Sequence, residues 1–192
     1  STVGRLDNYL GAPVSYAFQW NIKYSGRRYR QQADSSTLER AIYNDSRAVF
    51  KAEASGTAFD FIGAYLSGSI FDIESSEKPL PASEMILFGG PGTLRGYRND
   101  QFSAERLVLS TSEIRFFFSR GDYIYPFADG AYYERYVAGQ NGEYVKDDDV
   151  KFGYGLGIKL TSGSRDLRLE FSWAENARFS EPRLIVSLTG QF

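Results

Sequence analysis

From Lys151 onward, large apolar side chains fall on every second residue. Phe152, Tyr154, Leu156, Ile158 and Leu160 alternate with Lys151, Gly153, Gly155, Gly157, Lys159 and Thr161. Leu167, Leu169, Phe171 and Trp173 then alternate with Arg168, Glu170, Ser172 and Ala174. Leu184, Val186, Leu188 and Phe192 alternate with Arg183, Ser187, Thr189 and Gln191, and Ile185 alone interrupts the polar set. Near the start, Val14, Tyr16, Phe18, Trp20, Ile22 and Tyr24 repeat the pattern. A helix carrying this sequence would scatter its apolar residues around the whole cylinder, whereas a strand gathers them on one face. The runs extend over about ten residues, longer than the usual strand of a soluble sandwich at about 5–6. They match the roughly ten-residue alternating segments of strands tilted across a bilayer. The polar face also carries Lys, Arg and Glu while the apolar face stays nearly clean. The expected fold class is therefore all-β, an antiparallel transmembrane β-barrel.

Composition agrees. The chain has 192 residues, which suits one domain over 1–192, with 16% aromatic residues and 19 glycines. It is hydrophilic on average, with mean hydropathy -0.38, and no run approaches the ~20 apolar residues of a membrane helix. A net charge of -2 offers no basic stripe, so nucleic acid is not an expected partner. Cysteine and histidine are both absent, which removes disulfides and most transition-metal sites. Asp147-Asp148-Asp149 reads as a solvated loop rather than a metal site, and no cofactor or metal is expected. An enzyme is not expected either, because there is no histidine base and no Gly-x-Ser-x-Gly elbow. Ser1 opens no basic-then-apolar leader, so any export signal is expected to have been removed.

Eight strands are expected, three before a long connection and five after it. They are 14–28, 38–55, 58–70, 106–118, 122–133, 150–161, 166–174 and 183–192. Short turns at Ser119-Arg120-Gly121 and Ser162-Gly163-Ser164 belong at the periplasmic end. The longer polar connections, 71–100 and 134–149, belong at the outer surface. The first of these contains Gly89-Gly90-Pro91-Gly92-Thr93-Leu94-Arg95-Gly96-Tyr97. A glycine-rich loop that fixes one cation among residues able to pack closely is expected to fold back onto a partner. Strand parity supplies two acids. Asp129 shares a face with Tyr125 and Phe127, and Glu113 faces inward with Arg115 if Ile114, Phe116 and Phe118 face lipid.

These residues resemble the C-terminal half of the BamA/TamA/FhaC superfamily of outer-membrane assembly and translocation barrels. The resemblance covers essentially the whole chain. It rests on Leu94-Arg95-Gly96-Tyr97, the preceding Gly89-Gly90, the later Ser112-Glu113-Ile114-Arg115-Phe116, and the five strands that follow the loop. In that family the loop enters the barrel lumen, and its arginine pairs with an acid in a Phe-x-Asp-x-Gly motif. Here the region reads Phe127-Ala128-Asp129-Gly130-Ala131, with the glycine one position early, so the resemblance implies Asp129 as first partner and Glu113 as second. Leu184, Val186, Leu188 and terminal Phe192 resemble the family's C-terminal insertion signal.

The resemblance implies an integral protein of the bacterial outer membrane. Its role would be non-enzymatic insertion of membrane proteins or translocation of polypeptides, with client outer-membrane or secreted polypeptides as partners alongside the bilayer. A passive pore, a structural barrel, or a membrane anchor for an enzyme encoded elsewhere are the alternatives. Family members carry sixteen strands and usually periplasmic transport-associated domains. About thirteen residues precede the first expected strand, so those domains are expected to be absent. A closed eight-stranded barrel has room only for its own side chains. A thirty-residue loop inside it therefore calls for a homodimer or another second half-barrel, making this chain half of a sixteen-stranded barrel. Otherwise the chain is a fragment of a longer barrel, or closes alone with the loop outside.

Overall fold

A computed structural model describes residues 2–10, 14–33, 37–58, 61–76, 79–119, 121–139 and 143–190, with backbone pairing alone for 2–44 and 58. The chain is built of strands: β1 (Thr2–Leu10), β2 (Val14–Ala33), β3 (Thr37–Ala58), β4 (Ile62–Ser75), β5 (Ile86–Phe88), β6 (Phe102–Ala104), β7 (Arg106–Phe117), β8 (Tyr123–Ala138), β9 (Tyr144–Ser162), β10 (Arg165–Ala174) and β11 (Arg183–Gly190). Nine of them form one sheet in the order β1-β2-β3-β4-β7-β8-β9-β10-β11, and every pairing is antiparallel. The short β5 and β6 pair with each other inside the long connection. No helix among the described residues is long and apolar enough to cross a membrane, which leaves crossing by strands untouched.

Three expectations need correction. The sheet holds nine strands rather than eight, because Thr2–Leu10 pairs along its whole length with β2. Thr2, Gly4 and Asn8 break any period-two signal there, so backbone pairing makes this strand without a hydrophobic pattern. Among the described residues the sheet is also not closed into a barrel, since β1 and β11 each have one neighbour. It does curl, because residues from β3, β4, β7, β8, β10 and β11 line one cavity of about 650 Å³. Thirdly, neither long connection has its expected bounds. Residues 71–75 continue β4, with Phe71 opposite Leu107 and Ile73 opposite Arg47. Most of 134–149 is a hairpin extension of β8 and β9, held by Arg135–Asp147 at 2.8 Å and Lys146–Glu134 at 2.9 Å. Such cross-strand ion pairs let polar strands continue where apolar alternation has ended.

Alternation in the sequence becomes two chemically opposite faces. Along β8, buried Tyr123, Tyr125, Phe127, Asp129, Ala131 and Tyr133 alternate with outward Ile124, Pro126, Ala128, Gly130 and Tyr132. On β9 the outward residues Phe152, Tyr154, Leu156 and Leu160 are all exposed. Leu184, Val186 and Leu188 of the expected insertion signal lie on the same outward face, while Phe192 lies outside the described residues. The outward apolar band stops at a row of charges, where Arg106 meets Asp72 at 2.7 Å and Glu134 at 3.5 Å.

Part of the inward side is filled from the loop. Phe88, Leu94 and Tyr97 pack with Ala104, Leu107, Leu109, Ala131 and Tyr133. Phe88 stacks on Phe102 at 5.2 Å. The long connection leaves the same end of the sheet as the β8–β9 and β10–β11 connections, as antiparallel order requires. At the opposite end, Gly121 (φ 93°) and Gly163 (φ 60°) supply the left-handed residues of short turns.

Candidate functional site

Arg95 sits on the inward face, at the far end of a loop whose own backbone bends it there. Gly90 N–H donates to the Leu94 carbonyl at 2.9 Å, Leu94 N–H returns to the Gly90 carbonyl at 3.1 Å, and Gly89 N–H donates to Thr93 Oγ1 at 2.9 Å. Gly89, Gly90 and Gly92 all have positive φ, a conformation in which other residues are strained. The tight turn drives Leu94 into the apolar cluster, where it is fully buried. That burial leaves Arg95 pointing into the polar part of the inward face.

Three strands supply carboxylates there. Asp129 of β8 takes a two-pronged contact, from Nε to Oδ2 and from Nη2 to Oδ1, each 2.7 Å. Its Oδ2 also accepts the Arg95 backbone N–H at 3.1 Å, so one side chain fixes both the guanidinium and the loop backbone. Nη1 donates to Glu170 of β10 at 2.7 Å and to Glu113 of β7 at 3.3 Å. The guanidinium also lies over the Phe127 ring, 3.5 Å from its centroid. Planar Arg suits this site because its fork and its flat face are both used.

The acids are themselves held in place. Thr111 Oγ1 donates to Asp129 Oδ1 at 3.0 Å, and the Tyr125 hydroxyl donates to Glu170 Oε1 at 2.7 Å. Arg115 donates to Glu113 Oε2 through Nε at 2.9 Å and Nη2 at 2.7 Å. The side chains of Asp129, Glu113 and Glu170 are 1%, 3% and 7% exposed. Burial works against the charge on Arg95, but its hydrogen bonds and charge contacts with Asp129 and Glu170 outweigh that and raise its pKa above the ordinary arginine value. Arginine keeps its charge in proteins, and here three carboxylates surround it.

The loop backbone fits the sheet through glycine. Gly96 has φ 93°, and a Cβ there would come within 2.5 Å of the Trp173 carbonyl carbon and oxygen. A Cβ at Gly153 would overlap the Arg95 carbonyl oxygen, and one at Gly155 or Gly157 would strike the Phe127 or Tyr125 ring. The alternating glycines of β9 are thus the floor on which the loop and two aromatic rings lie. Tyr97 completes the seat, its hydroxyl donating to the Phe152 carbonyl at 3.1 Å.

The structure brings Leu94, Arg95, Gly96, Tyr97, Gly89, Gly90, Asp129, Glu113 and Phe127 into one region. Leu184, Val186 and Leu188 lie on the opposite, outward face. Sequence reasoning missed Glu170, although an acid between Leu169 and Phe171 on an alternating strand must face inward with Asp129. Parity places Tyr125 beside Asp129 but not its hydrogen bond to Glu170, and it gives no sign of Arg183, whose Nε donates to the Gly96 carbonyl at 3.0 Å. Asp147 and Asp149 are engaged by Arg135 and Lys151. Chemically, the arrangement holds the loop in one position through buried ion pairs to three strands. No protein-family model matches the chain, and no curated protein matches it.

Proposed function

We propose that the chain forms part of an outer-membrane β-barrel of the BamA/TamA/FhaC kind, with a non-enzymatic role in inserting membrane proteins or translocating polypeptides. The observation that carries this reading is the seating of a loop arginine, inside the curl of the sheet, on carboxylates from three different strands. A connection that only joined two strands would need no such seat. A loop pinned in the lumen divides the barrel's states into loop-in and loop-out, which is what a gated translocation or insertion device requires.

The opposite face supports the membrane part of the reading. Its exposed Leu66, Ile114, Phe152, Leu156 and Leu188 exceed the scattered apolar residues of a soluble surface. The row Asp72–Arg106–Glu134 fits an outer membrane boundary, with the β8–β9 hairpin projecting beyond it. In hydrocarbon the free edges of β1 and β11 must be paired, because unsatisfied backbone groups there are costly. A second half-barrel supplies the partners, whether from a second copy or from further strands. A passive pore fits less well, since Phe88, Leu94 and Tyr97 occupy part of the inward side beside the cavity that Arg95 borders.

Cells carrying Arg95→Ala or Asp129→Ala should deliver client polypeptides at least tenfold less well, measured against equal amounts of folded protein. Unchanged delivery in both variants, or steady conductance with no effect on other outer-membrane proteins, would contradict the proposal.

A further inference from the structure

The loop is held twice, and the two holds differ in kind. The Arg95 side chain engages β7, β8 and β10. The backbone of the next residue engages the end of the sheet, where the Gly96 carbonyl accepts from Arg183 at 3.0 Å. Arg183 is the first residue of β11, which has no second neighbour among the described residues. Its own carbonyl accepts from the fully buried Ser172 Oγ at 3.2 Å. The backbone of Arg183 is thereby fixed at the top of β10 and β11 while its guanidinium reaches the loop.

The surroundings stiffen that contact. Trp173 lies against Gly96, stacks on Phe179 with centroids 4.8 Å apart and rings 4° from parallel, and donates from Nε1 to the Phe179 carbonyl at 2.9 Å. The connection between β10 and β11, the start of β11 and the loop therefore pack as one unit. Two residues along β11 from Arg183, Ile185 is buried directly opposite Glu170, a partner of Arg95. Both holds thus reach β11.

We propose that Arg183 is a positioning residue that couples the seating of the Arg95 loop to the order of the edge strand β11. A strand of eight residues paired on one side has half the ladder of an inner strand, so it is the element for which one extra anchor matters most. With the loop seated, Arg183 ties β11 down. With the loop withdrawn, β11 loses that anchor and its ladder to β10 loosens. Coupling of this kind is reciprocal, so loosening β11 must weaken the loop seat by the same factor. This deepens the gating proposed above and rests on it, but the contacts themselves can be tested without any client.

The test is a double-mutant cycle on the full chain, folded in detergent micelles and read by residue-resolved amide hydrogen exchange. Arg183→Ala should accelerate exchange roughly fivefold or more over both 94–97 and 183–190, as expected for loss of one hydrogen bond to a charged donor. Arg95→Lys keeps the charge but not the fork, and should accelerate exchange in 183–190 when Arg183 is present. In the Arg183→Ala background it should add little there, because the connection is already cut. Arg183→Lys should restore part of the protection, and Arg183→Gln serves the same cycle where Arg183→Ala does not fold. Additive effects of the two substitutions, or exchange in 183–190 that ignores Arg95→Lys, would overturn the coupling. Exchange decides the coupling whichever way client delivery falls.

Discussion

The inward and outward faces of strands β8 to β11 hide opposite chemistry. Inward, Asp129, Glu170 and Ser172 are 2%, 5% and 0% exposed. Outward, Leu156, Val186 and Leu188 are 57%, 60% and 71% exposed. A sheet with one face in water and one on a core buries its apolar residues and solvates its charges. Here the same period-two alternation is turned inside out. The polar face is organised by an arginine with fixed partners, so it behaves as a structured interior. Among the described residues the apolar face is left open over most of β9 and β11, and only at Trp173 does a ring, that of Phe179, stack on it. The comparison teaches that one period-two pattern can set an inward face organised by buried ion pairs against an outward face of exposed apolar side chains.

The comparison breaks most visibly at Arg95. Arg95→Ala leaves Asp129 and Glu170 buried without their cation, while Glu113 keeps Arg115. Removing one partner of a buried ionic group costs on the order of 3–5 kcal/mol, so denaturant unfolding should show a loss of that size. A loss below about 1 kcal/mol, the level of an exposed pair, would mean that the seat is solvated. The outward face gives the next largest effect. Leu156→Arg should cost about 2–4 kcal/mol in a bilayer if the residue lies near the midplane. In water the same exposed substitution should change stability by only about 0.5 kcal/mol. Measuring it in lipid therefore sharpens the contrast that the exposures suggest.

Parity made much of this legible in advance. It placed Asp129 with Tyr125 and Phe127, and Glu113 opposite Ile114, because a strand gives each residue only two choices. It did not reveal Glu170, since pairing one arginine with one acid left no reason to look for a third. Arg183 was invisible because its partner is the Gly96 carbonyl, and a main-chain acceptor has no sequence signature. The strand Thr2–Leu10 was missed for a related reason, as its place is fixed by hydrogen bonds to β2 rather than by hydrophobicity. The hairpin extension over 134–149 was read as loop from its charges, but those charges pair across the two strands. The glycines of β9 were legible as space, and their specific role needed the positions of Arg95, Phe127 and Tyr125.

The central claim is that the outward face meets hydrocarbon while the inward face holds the loop. Because the chain has no cysteine, single introduced thiols report cleanly. Leu156→Cys, Leu188→Cys and Phe179→Cys, the last at a site 77% exposed in the β10–β11 connection, would be compared in reconstituted bilayers with a water-soluble maleimide. The account predicts rapid labelling at 179 and labelling slower by at least an order of magnitude at 156 and 188. Equal rates at all three positions would contradict it.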